Sequence, residues 1–336
     1  MNDIPLSSSE LGNIWQAYQE KSMKLQFLEH FIENSNDSAA KGILQSAYNI
    51  ESKNKKAIEA IFQNAGAVIP VAFTEKDVIK NAPKLFDESF DIIYIRNLSK
   101  ILIGLYALHT GMSYREDICE LYKDFTSDSQ MIYTQTTQHL LNKGILTRPP
   151  IVPMPTEVEF VEDTSYTNGG GLLGKKRVLN TVEIGLVYQS LETNILGMQL
   201  MTGFAQVAKN SDAKKYFQRG KELAKKQISI MSELLLESDI PAPSTCTGIV
   251  TDSTISPFSD KMMMYNTNLL SIFGLGSNSV GAAFSFRGDL LLKMGGIMTN
   301  IFDFAKDGGE IMIKHGWMEE PPQAADRTKL SKERSK

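Results

Sequence analysis

Residues 86–150 of this chain occur a second time as residues 258–322, 172 positions later and in step at both ends. Arg115 and Asp117 fall on Arg287 and Asp289, Gly144 on Gly316, and Pro149–Pro150 on Pro321–Pro322. Toward the start of each half the offset is 173. There Glu10-Leu11-Gly12 falls on Glu183-Ile184-Gly185, and Lys41 and Gln45 fall on Lys214 and Gln218. The offset changes only in connections, where insertions are tolerated. A period this long marks a tandem domain rather than a solenoid repeat, so one fold must be built twice.

Each half reads as four helices. In the first, Leu11, Ile14, Trp15, Tyr18, Leu28 and Phe31 form an apolar stripe that starts near Ser8 or Ser9. Asp37 or Ser38 caps a second helix, which Gly66 releases. A long connection from Ala67 to Pro83 leads to a third helix from Phe86, and a fourth runs from about Ser113 to Asn142. The second half repeats the plan from about Asn180, Asp212, Ser259 and Ser285. The expected fold is all-α: a four-helix bundle over 1–147, an extended Pro/Gly linker over 148–177, and a second bundle over 178–325. Residues 326–336 read as a disordered charged tail.

Composition narrows the function classes. A hydrophobic share of 42% and a charged share of 22% suit a protein that buries two cores. The net charge of −4 carries no basic excess, which argues against nucleic acid as a partner. Cys119 and Cys246 form no spaced pair, which implies reduced thiols, and Met1 to Glu10 lacks a signal peptide's apolar run; both fit a cytoplasmic protein. Met262 to Phe286 is 25 residues without a charge. Its repeat counterpart carries Asp91, Arg96 and Lys100, so the stretch reads as a buried helix and no membrane span is expected.

No residue set specifies a reaction. Gly169 to Gly174 matches a dinucleotide glycine pattern, and read through Lys175 it matches most of a P-loop. The position that should supply a hydroxyl to magnesium is Lys176, and no β/α pattern surrounds the cluster, so it reads as a linker. A di-iron bundle needs Glu-x-x-His on two helices. The residues three before His30, His109, His139 and His315 are Phe27, Tyr106, Thr136 and Met312, so no metal site or cofactor is expected. The repeated pairs Arg115/Asp117 and Arg287/Asp289 read as structural pins at the corner between the third and fourth helices. The run Met262, Met263 and Met264 is a candidate lining for an apolar pocket.

Several segments resemble a known family. They are Arg148-Pro149-Pro150, the stretch from Gly203 to Lys209, Arg219-Gly220-Lys221-Glu222, and the stretches from Pro257 to Lys261 and from Gly316 to Arg327. Together they resemble the domain of unknown function 3231 family of spore-forming bacteria, over nearly the whole chain from Leu11 to Arg327. The resemblance implies two tandem ferritin-like bundles, similar in fold to the spore coat F group, and a link to spores or stress. The family has no established activity, so it supplies no catalytic residues. The expected function is a non-enzymatic structural or interaction protein, with a homo-oligomer or a spore-coat protein as partner. Two alternatives stand beside it: a helical module holding a small apolar ligand or lipid at Met262–Met264, and an atypical metal-dependent oxidase using Glu20, Glu51 and Glu59.

Overall fold

Long helices form wherever a side chain able to accept from the open amides of a first turn precedes an apolar stripe. In a computed structural model, which describes residues 4–167, 176–242 and 249–333, Ser7 caps α1 (Ser8–Asn34) in a reciprocal box with Glu10. Asp37 caps α2 (Ser38–Asn64) and Asp87 caps α3 (Glu88–Gly111). In the second half Asn180, Asn210 and Ser259 cap α5 (Thr181–Val207), α6 (Ser211–Leu236) and α7 (Asp260–Phe284). The fourth helices, α4 (Glu116–Asn142) and α8 (Gly288–Lys314), start at Arg115 and Arg287 without a side-chain cap bond. The third helices begin one to two residues later than the sequence pattern suggests, where Asp87 and Ser259 cap them, and the fourth helices begin three residues later.

Within each half the helices pair as hairpins, α1 with α2 and α3 with α4, then α5 with α6 and α7 with α8. The hairpins close into bundles through α1–α3 and α2–α4, and through α5–α7 and α6–α8. One long crossover joins the hairpins of each half, residues 65–87 and 237–259, which is the ferritin-like connection. The chain is thus all-α with an internal duplication.

The two crossovers meet, and they do so reciprocally. The amide of Ile79 donates to the Pro257 carbonyl at 2.9 Å, and the amide of Thr251 donates to the Leu85 carbonyl at 3.0 Å. Each residue of the second bond is the repeat counterpart of one in the first. The same holds for Ser259 to Asp77 at 2.8 Å and Asp87 to Ile249 at 3.0 Å. Such pairing is the signature of an isologous, two-fold interface, here closed within a single chain. Tyr94 lies on the axis: its hydroxyl donates to Oδ1 of Asn266, its own counterpart, at 2.8 Å. Arg96 and Lys100 on α3 reach Glu192 on α5 at 2.8 and 3.0 Å.

Apolar side chains follow the same route. Phe258 packs on Phe27 at a tilt of 52° with ring centres 4.3 Å apart, and Phe73 meets Tyr265 at 5.0 Å. One core therefore runs through both bundles, with side chains from all eight long helices. A smaller cluster of Leu179, Leu191, Met231 and Met294 fills the far end of the second bundle. Two separate cores were the expectation from composition. They merge because the crossover of each half inserts its aromatic residues between the halves. A second correction concerns the tail: Arg327–Glu333 forms a short helix, α9, with the Asp326 carboxylate accepting from the Lys329 amide at 3.0 Å. No described helix is long and apolar enough to cross a membrane.

Phe258 is 2% exposed and fills the seam between the halves, so Phe258→Ala should lower stability by about 3–5 kcal/mol. Urea denaturation should show one transition for both bundles, shifted as a unit. Two resolved transitions, with only the second displaced, would mean that the halves fold independently.

Candidate functional site

The repeated arginine pairs sit at the α3–α4 and α7–α8 corners and are built alike. Arg115 grips Asp117 through two bonds of 3.0 and 2.6 Å, and Arg287 grips Asp289 through two of 2.8 and 3.0 Å. Each also donates to a carbonyl just before the first helix of its half, Ile4 at 3.2 Å and Arg177 at 2.9 Å. Glu10 completes the first corner by accepting from the amides of Tyr114 and Arg115 at 2.8 and 2.7 Å. Burial pushes the Glu10 carboxyl up, but the amides of Arg115, Ser7 and Tyr114 outweigh it and bring the group down to about 2. Every polar atom in this motif is engaged with the chain itself, which is what a structural pin requires.

The centre of the first bundle holds a buried charge cluster. The Glu51 carboxylate receives Lys21 Nζ at 2.9 Å and Lys24 Nζ at 2.6 Å, one ammonium on each oxygen. Lys21 also lies 3.8 Å from the ring centre of Phe125 and 4.7 Å from that of Tyr106, and Lys24 reaches Ser99 Oγ at 3.4 Å. The Tyr106 hydroxyl donates to Glu20 at 2.7 Å. All four charged groups are at most 1% exposed. Burial alone would raise the Glu51 carboxyl, but the two ammoniums hold it well below the usual carboxylate range. Glu20 goes the other way: burial dominates the nearby Lys21 charge and lifts its carboxyl to about 7.

The corresponding place in the second bundle is different. Glu20, Lys21, Lys24 and Glu51 have as counterparts Thr193, Asn194, Gly197 and Ala224, and all four line a cavity of about 100 Å³ between α5, α6, α7 and α8. Asn54 and Tyr106 have Gln227 and Asn278 as counterparts, Ser99 is matched by Ser271, and all three second-half residues also line it. No charged side chain is part of the described lining. Where the first half has four ionisable side chains and a tyrosine the second has smaller, neutral ones, and the cavity lies at that place.

A model of the family described as Protein of unknown function (DUF3231) matches residues 1–158 and again residues 167–330. The chain belongs to this family. The double match coincides with the two bundles and with the internal repeat. A crystal structure titled "putative spore coat protein", from Bacillus halodurans C-125, is similar at 18% identity with a TM-score of 0.43, over 45% of this chain and 98% of that one. Among curated proteins none matches.

For this DUF3231 chain the remaining candidates can be placed. Met262, Met263 and Met264 are all fully buried in the core, and the second-bundle cavity is lined instead by Met201, Thr267, Leu270 and their neighbours. Glu59 accepts from Tyr18 at 3.0 Å and from Lys55 at 2.7 Å. Among the described residues no three His, Cys, Asp or Glu side chains converge as metal ligands, and both oxygens of Glu51 are already taken by ammoniums. The donor set therefore does not fit a carboxylate-bridged metal pair. His30 and His109 are buried, and burial brings each ring down to about 4. Cys246 and the glycine cluster from Gly169 to Lys175 lie outside the described residues. Sequence reasoning singled out Glu20 and Glu51 of the first centre, as candidate metal ligands, but missed Lys21, Lys24 and the second-bundle cavity. Their signal was present as the unmatched positions of an otherwise matched repeat.

Glu51→Gln should destabilise the protein by about 3–5 kcal/mol, since it leaves two buried ammoniums uncompensated. Replacing the set together (Lys21→Met, Lys24→Met, Glu51→Leu) should instead be neutral or stabilising by roughly 1–4 kcal/mol. Chemical denaturation at pH 7 distinguishes the two cases. Glu20 gives a pH signature: with its folded carboxyl raised from 4.5 to about 7, the fold favours the protonated form. Its contribution is complete below about pH 4.5 and is lost as pH rises through 7, at up to about 1.4 kcal/mol per unit. The difference in stability between the parent and Glu20→Gln, measured from pH 4.5 to 8, should show this slope; parallel profiles would refute it.

Proposed function

We propose that the protein is a non-enzymatic structural or interaction protein. The observation that carries this reading is the self-satisfied centre of the first bundle. Lys21 and Lys24 complete the valence of Glu51, Tyr106 satisfies Glu20, and the cluster is sealed from solvent. Catalysis needs acid, base or nucleophile groups that converge on space a substrate can occupy. Here the ionisable groups converge on one another. Large apolar side chains near the α7–α8 corner supply surface for association: Phe284, Phe286 and Leu292 are 61%, 63% and 78% exposed. The resemblance to a family of spore-forming bacteria supports extending the reading to a spore-associated role.

Elemental analysis and native mass spectrometry of untagged protein test the non-enzymatic part. Metal well below one equivalent per chain is expected; near-stoichiometric iron, manganese or zinc with accompanying turnover would sink the proposal. Immunoblotting of spore and vegetative fractions tests the location. Enrichment in the spore fraction is expected, and confinement to vegetative cytosol would remove that part of the reading.

A further inference from the structure

We propose that the second-bundle cavity is a binding site for a small, neutral molecule that donates hydrogen bonds, of the size of a short-chain amide. The first argument is the comparison within the chain. The six polar residues of the sealed first-bundle cluster, Glu20, Lys21, Lys24, Glu51, Ser99 and Tyr106, all have counterparts in this lining, so the cavity is the same structural position without its charges. Packing normally closes such a space, because an unfilled volume loses contacts on every side. Here it stays open, flanked by half-buried residues of α5 and α7 that leave a route from solvent.

The second argument is an orphaned acceptor. Gln227 is 3% exposed, its side chain lines the cavity, and its Oε1 has no hydrogen-bond partner within the protein. A buried carbonyl without a donor costs about 1–3 kcal/mol, which a donating ligand recovers. The rest of the lining points to the same polarity. The hydroxyls of Thr193, Thr267 and Ser271 each donate to the carbonyl four residues earlier, at 3.0, 2.9 and 2.8 Å. Their single protons are thereby used, and what remains to a ligand is oxygen lone pairs. Asn194 is similarly committed, its Nδ2 donating to the Ser190 carbonyl at 2.8 Å. The site offers these acceptors beside the amide N–H groups of Asn97 and Gln227, so its occupant supplies donors and can also accept, as a primary amide does.

Charge decides between a neutral and a cationic donor. An ammonium held away from water needs a carboxylate partner, as Lys21 and Lys24 have in Glu51. The counterpart of Glu51 is Ala224, and no other carboxylate is part of the described lining. A cation would sit there uncompensated. An apolar occupant would leave the Gln227 carbonyl stranded. Volume sets the size: about 100 Å³ is below the roughly 150 Å³ that accommodates benzene in an engineered cavity. An occupant of about five non-hydrogen atoms fits.

The test uses the full chain labelled with 13C at its methionine methyls. Met201 lines the cavity, whereas Met263 and Met264 are buried outside its lining and serve as internal references. Propionamide is expected to shift the Met201 methyl signal saturably while the references stay fixed. Propylammonium and xenon, as cationic and apolar probes, should act at least tenfold more weakly. Two variants locate the site. Gly197→Leu fills the cavity: a Cβ there meets nothing within 4 Å, and its counterpart Lys24 shows that the position carries a long side chain. It should abolish the shift. Gln227→Leu removes the orphaned acceptor and should weaken propionamide about tenfold while leaving xenon unaffected. Circular dichroism confirms that both variants fold. No shift with propionamide, an equal shift in Gly197→Leu, or tighter binding of propylammonium or xenon overturns the proposal.

Discussion

The reciprocal pairing of the two crossovers is the constraint on which the rest of the molecule depends. Each crossover must traverse its own bundle without a partner for its backbone amides, and a buried backbone group left unpaired is costly. In this chain each supplies what the other lacks, through four backbone bonds related by the repeat. The exchange draws Phe258 against Phe27 and His30, places Tyr94 on Asn266, and leaves Arg96 and Lys100 facing Glu192. The two bundles are therefore a dimer fused into one chain. Their shared core is a consequence of the crossovers and not of the helices alone.

A fused dimer is free to make its two halves unequal, because a substitution in one copy is not automatically repeated in the other. The bundle centres show the result. A buried cluster of two ammoniums and two carboxyl groups is stable only as a set, since removing any one member strands another. The second half carries none of the four charges, which is consistent with a set that is present whole or not at all. Asn194 and Thr193 satisfy themselves locally, Gly197 and Ala224 contribute no polar atoms, and Gln227 is left with an unanswered acceptor. The corners, in contrast, are preserved in both halves. The Arg–Asp pairs sit at the start of α4 and α8, and Glu10 and Glu183 meet the residues just before each, although the two centres differ.

Much of the fold was legible in the sequence, and the reasons are local. Asp37, Asn180 and Ser259 announce helix starts through their own side chains, and Gly66, Gly144 and Gly316 mark helix ends because each takes a left-handed φ of 65° to 67°. The duplication was legible because matched residues stay in register across 172 positions. The candidate site was legible only as far as Glu20 and Glu51, and those were read as metal ligands. Lys21 and Lys24 look like surface residues on an amphipathic helix, yet they are 1% and 0% exposed, since Glu51 from the next helix compensates them. Met262 to Met264 drew notice as a possible pocket, but three flexible thioethers in a row fill irregular core space equally well.

By itself the sequence determined that this is a doubled, all-helical chain with eight long helices, their caps and their ends, because those depend on residues a few positions apart. It also determined that no histidine or cysteine constellation of a familiar spacing is present. Only the tertiary structure decided that the halves share one core, that α1 and α2 bury a charge cluster between them, and that the equivalent place in the second half is a neutral cavity. Each of these rests on residues from three or four helices meeting at one point. Periodicity states which face of a helix turns inward, but not what the opposing faces bring to meet it.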